Sequence, residues 1–127
     1  TWMPERFEMI LIKRIYGEAD ESDDFRILVD RLWPRGLSKD KVKVDLWLKD
    51  IAPSDGLRKW FAHDPKRWAE FKSRYFEELE DKKELVNVII EKTRSKAVTL
   101  LYGSKDEEHN NAIALKEYIA SKAGRVE

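Results

Sequence analysis

Two stretches of this 127-residue chain concentrate side chains able to do chemistry. The first, "DRLWPRGLS" from Asp30 to Ser38, follows "FRILV" and places Asp30, Arg31 and Arg35 where an apolar strand should end. Arginine forks suit phosphate or carboxylate, and Gly36 permits close backbone approach. In open α/β sheets ligands gather beyond the carboxyl ends of strands. Arg14, with Lys13 beside it, joins the group if the first two strands run parallel. The competing reading is structural: Asp30 pairs Arg31 or Arg14, and Trp33-Pro34 stiffens a turn.

The second stretch is "LLYGSKDEEHNN", Leu100 to Asn111. A strand followed by Gly103-Ser104 and a helix start resembles an anion pocket, where unpaired N–H groups face the ligand. Tyr102 and His109 are the candidate proton-transfer groups, and Gly103 and Ser104 the candidate ligand-binding ones. The spacing is neither that of a P-loop nor of GxGxxG. His63 is the other histidine, but with no HExxH or similar pattern the expectation is no metal site. The residues name no cofactor.

The elements that must position these groups follow from pattern. Met9–Tyr16 reads as a first strand and "FRILVD" as a second, buried on both faces. Alternation over Lys41–Lys49 predicts a third, edge strand with Val42, Val44, Leu46 and Leu48 on one side and Trp47 on the other. Ser54 caps a helix carrying Leu57, Trp60 and Phe61. Asp64-Pro65 opens the clearest helix, with Trp68, Phe71, Tyr75 and Leu79 on one face. A further helix spans about Lys83 to Arg94, "AVTLLYGS" is the last strand, and Asp106 caps a C-terminal helix with Glu107 and Glu108 in its first turn. The expectation is one α/β domain over 9–122, a mixed sheet of about four strands with helices on both faces. An N-terminal extension (1–8) and a tail (123–127) flank it.

Composition removes several function classes. Twenty-five basic residues balance twenty-five acidic ones, so no global field draws the chain to nucleic acid or anionic membrane. Absent cysteine removes thiolate chemistry and disulfides. No apolar run approaches the roughly 18 residues of a membrane span, and a cytoplasmic location is the default expectation. The 39% charged content, without glutamine, resembles hyperthermophile usage. Trp33, Trp47, Trp60, Trp68 and Phe71, interleaved with Arg58, Lys59, Arg67 and Arg74, offer a stacking platform for single-stranded nucleic acid. At helical spacing such a stripe is more often core.

The strings "IKRIY", "FRILVDRLWPRGLSK", "DLWLKDIAPS", "LRKWFAHDPKRWAEFKSRY" and "VTLLYGSKDEEHNNA" resemble the domain-of-unknown-function 488 family, in its short YeaO-like branch. The resemblance covers Met9 to about Ser121. It implies an α/β fold and no particular activity. Longer members of the wider family carry cysteines in the segment matching Tyr102 to Asn111; this chain has none there, so thiol chemistry is not transferred. The leading expectation is a small anionic ligand held by Arg14, Arg31 and Arg35, with Asp30 orienting them, in a binder or an enzyme. A nucleic-acid-binding module on the Arg/Trp helices comes second, and a protein-interaction domain anchored on Trp47 or Trp60 third.

Overall fold

The computed structural model describes residues 10–123; the extension expected at 1–8 and residues 124–127 of the tail lie outside them. Strands β1 (Leu11–Arg14), β2 (Phe25–Leu28), β3 (Leu46–Trp47) and β4 (Val98–Tyr102) form one sheet in the order β1-β4-β2-β3. Every residue of β4 is buried, as a central strand covered on both faces requires. Helices α1 (Asp55–Phe61), α2 (Trp68–Glu80), α3 (Lys83–Thr93) and α4 (Asn111–Ala123) complete a single α/β domain.

Local signals set most helix starts. The Ser54 hydroxyl accepts from the Leu57 N–H to open α1, and the Asp64 carboxylate accepts from the Lys66 N–H ahead of the single turn Pro65–Arg67 that leads into α2. The predicted α2 stripe is inward-facing: Phe71, Tyr75 and Leu79 are buried with Leu57, Phe61, Val86 and Ile89 against Ile27, Val29 and Leu100 of the sheet. Each fully buried Leu or Ile there contributes about 1.5–3 kcal/mol. The Tyr75 hydroxyl donates to the Ile51 carbonyl at 2.7 Å and anchors the α1 approach to α2. Tyr75→Phe deprives that carbonyl of its buried donor and is expected to cost about 1–2 kcal/mol in urea unfolding, with the slope unchanged.

Within this architecture three details differ from expectation. All three strand pairings are parallel, so the sheet is not mixed. The core residues of all four helices join one cluster on one face. The other face receives loops, because neither the β1–β2 nor the β2–β3 connection contains an α-helix. There Trp33, Leu37, Val42, Val44 and Trp47 pack on Ile15, Leu28 and Leu101.

The third strand is an edge strand, but it is two residues long. Val42 and Val44 belong to the loop-covered face with Trp47, whereas Leu46 and Leu48 pack into the helical core. The alternation breaks at Asp45, whose carboxylate accepts the Arg26 N–H at 2.8 Å while its own N–H donates to the Arg26 carbonyl at 2.9 Å. That exchange turns an incoming loop into the strand.

Candidate ligand-binding site

β2 and β4 are neighbours and parallel, so their carboxyl ends lie side by side and the two loops singled out in the sequence meet. Asp30 Oδ2 accepts the Gly103 N–H at 2.8 Å. A Cβ at Gly103 would stand 3.1 Å from that oxygen, which is why glycine suits the position. Asn111, in the first turn of α4, donates Nδ2 to the Val29 carbonyl at 2.9 Å and ties the helix to the same corner.

Beside this corner opens a cavity of about 430 Å³. Of the residues expected at a site, Asp30, Arg31, Ser104 and His109 line it. Arg58, Lys59 and His63, from α1 and the bend after it, line it too, over a base of Phe61 and Phe71. In the sequence the first two belong to the stacking platform for nucleic acid, and His63 carries no metal-binding pattern. What brings His63 in is a pair of consecutive left-handed residues, Ala62 (φ 47°) and His63 (φ 57°). Neither is glycine or asparagine, and only His63 is of a type that favours positive φ, so the turn left little mark in the sequence.

Arg14, Arg35, Tyr102 and Gly103 are not among the lining residues. Arg14 donates Nε to the Ser104 carbonyl at 2.9 Å, and its guanidinium lies 4.6 Å from the Tyr16 ring centroid. Arg35 is exposed, its carbonyl accepting from the Tyr16 hydroxyl at 3.0 Å. Tyr102 is buried in the helical core, and burial pushes its phenol up from the ordinary range. Lys13, on the loop-covered face, reaches Asp23 at 2.6 Å. Successive strand residues point to opposite faces, so Lys13 and Arg14 cannot both serve one site.

The α4 cap also differs. Asp106 accepts from the Glu108 and His109 N–H groups, at 2.9 and 3.0 Å, and so closes a turn before the helix. Asn110 is the residue whose Oδ1 accepts from Ile113 N, at 2.9 Å. Glu107, Glu108 and His109 therefore precede α4, and the Gly103-Ser104 turn is a strand end rather than a helix start.

The electrostatics of the cavity wall are uneven. Arg31 Nε is buried and has no hydrogen-bond acceptor among the described residues. Its nearest carboxylates, on the exposed Asp55 and Asp50, stand 3.8 Å from Nε and 4.0 Å from the guanidinium terminus. Burial pushes the Asp30 carboxyl above the usual range, opposed by its bonds from Asn111 and the Gly103 N–H. His109 Nδ1 lies 2.9 Å from Asp106 Oδ2, and its ring meets Trp68 edge-on at 5.3 Å. The Glu108 N–H, more than the His109 contact, holds Asp106 below the usual carboxylate range. No group of three or more metal-ligating side chains is present among the described residues.

The aromatic stripe is mostly core. Phe71 stacks on Phe61 and Trp68, at 4.4 and 5.7 Å. Trp60 is half-buried, with the guanidiniums of Arg67 and Arg74 over its ring at 5.1 and 4.4 Å. Trp47, also half-buried, donates Nε1 to the Asp30 carbonyl at 2.8 Å and so braces the site from behind.

The family model for the inactive DUF488-N3 subclade, DUF488-N3i, matches residues 9–127. The chain belongs to this family. The resemblance carried by "FRILVDRLWPRGLSK" and its companion strings thus pointed to the right family. Among relatives of this DUF488-N3i chain, protein YeaO of Escherichia coli is 38% identical over 112 residues, 88% of this chain and 97% of YeaO. An uncharacterised protein of Mycobacterium tuberculosis is 50% identical over 72 residues, 57% of this chain and 61% of that protein. The matched stretch thus spans less than two thirds of the mycobacterial relative's length. No solved structure matches significantly. No helix among the described residues is long and apolar enough to cross a membrane.

Proposed function

We propose that this DUF488-N3i chain binds a small phosphate- or carboxylate-bearing ligand at the carboxyl ends of β2 and β4 and does not turn it over. The observation that carries this reading is Arg31, which lines the cavity with no carboxylate nearer than 3.8 Å to its guanidinium among the described residues. A guanidinium whose own carboxylates stand at the limit of ion pairing has donors to offer, and an oxyanion takes them up with charge-assisted bonds. Arg58 and Lys59 add positive charge to the same cavity. The family's description as inactive and the burial of Tyr102 favour binding over catalysis. The nucleic-acid reading is weaker, since Trp60 already carries two of the chain's own guanidiniums on its ring.

A melting titration at low ionic strength tests the proposal, using inorganic phosphate, phosphate monoesters and small carboxylates. At a hundredfold excess over Kd, mass action adds about 2.7 kcal/mol, which for a domain of this size is a saturable rise of several degrees in Tm. Chloride at equal ionic strength is expected to give none of it. No shift with any of these anions overturns the reading.

A further inference from the structure

The cavity is larger and chemically more divided than a bare oxyanion needs. At about 430 Å³ it falls in the size range of sites for small organic molecules. Arg31, Arg58 and Lys59 bring cationic groups to its lining, whereas Asp30 and Asn111, tied to the strand ends, bring acceptors. A carboxylate has about four lone-pair directions. The Gly103 N–H and Asn111 engage Asp30, which leaves acceptor capacity on a group that lines the cavity.

A half-buried carboxylate in a cavity that also holds an anion is an electrostatic burden unless the ligand brings a donor to it. An ammonium would satisfy Asp30, but Arg31, Arg58 and Lys59 stand against a second cation in the same space. A neutral hydroxyl meets both demands: it donates to Asp30 and adds no charge. We infer that the ligand is a hydroxylated organic anion, a small polyol monophosphate being the type, with its phosphate at Arg31 and a hydroxyl at Asp30.

This rests on the anion-site reading, and a matched pair of probes separates the two. Isothermal titration of the full chain with glycerol 1-phosphate and with propyl phosphate compares ligands of like charge and chain length that differ in their hydroxyls. The expected result is at least tenfold tighter binding of glycerol 1-phosphate, with the ratio falling towards one in Asp30→Asn while propyl phosphate binding is kept. Equal affinities in the wild type overturn the hydroxyl inference and leave the anion site standing. Tighter binding of phosphoethanolamine than of glycerol 1-phosphate overturns it in favour of a zwitterion. If no probe binds, inorganic phosphate included, the underlying reading falls as well. The wild-type ratio decides the matter even if the Asp30 variant does not fold.

Discussion

Asp23→Ala is expected to destabilise the fold by about 3–5 kcal/mol, the largest effect of any single substitution considered for this chain. Asp23 and Arg26 are 0% and 2% exposed, joined at 2.6 Å, on the loop-covered face of the sheet. Removing the carboxylate strands a guanidinium where water does not reach. Arg26 Nε already lacks a partner among the described residues, so the arrangement has little reserve. Lys13, at 2.6 Å from the other oxygen, is a third exposed and can turn to solvent, so Lys13→Ala should cost far less. Urea unfolding checks both, and Asp23→Ala combined with Arg26→Leu should recover much of the loss, because an apolar pair needs no partner.

The same pair gives a pH dependence. Burial raises the Asp23 carboxyl, but the bond from Lys13, the Asp20 N–H and the charges of Lys13 and Arg26 outweigh it and hold the group below its ordinary value. A carboxylate lowered in the folded state contributes stability that is fully present above its unfolded value, about pH 4. That contribution is lost as pH falls through the folded value. Wild type should therefore lose stability more steeply in acid than Asp23→Ala. Parallel acid profiles for the two proteins would remove Asp23 as the cause.

Arg31→Ala should weaken phosphate or phosphate-monoester binding by roughly ten- to a hundredfold, the range of one charge-assisted hydrogen bond at about 1.5–3 kcal/mol. Stability should change by no more than about 0.5 kcal/mol, since the contacts of Arg31 to Asp50 and Asp55 are long and those carboxylates exposed. Arg31→Lys should not restore affinity, because an ammonium cannot reproduce the planar fork. Arg35→Ala is the control, as Arg35 is exposed and does not line the cavity. Equal losses from the Arg31 and Arg35 substitutions would move the anion away from Arg31, and no loss from Arg31→Ala would remove it from the site.

Much of the secondary structure was legible because its causes are local. Ile27 to Val29, and Val98 to Tyr102 apart from Thr99, are apolar and buried, in or directly beside the two central strands. Ser54 and Asp64-Pro65 open helices through bonds spanning two or three residues. Two local readings failed for identifiable reasons. Alternation from Val42 to Leu48 imitated a long strand, although its two halves serve opposite faces. Asp106 had the look of a helix cap, but the helix waits for Asn110, whose amide accepts from Ile113 and donates to the Asp106 carbonyl.

The lining of the candidate cavity was legible in part. Asp30, Arg31, Ser104 and His109 were marked by polar side chains at the ends of apolar runs, and all four line the cavity. Arg58, Lys59 and His63 sit on a helix and bend that join the site only through packing.

From the amino-acid sequence alone came the element types, the central standing of the second and last strands and the exclusion of thiol chemistry, since periodicity, capping and composition act within a few residues or none. Tertiary structure alone decided that the strands are all parallel in the order β1-β4-β2-β3, that Lys13 turns away from Arg14's face, and that Asp30 meets Gly103. A contact between residues so far apart in the chain depends on how every intervening element packs, and no short window of residues carries that information.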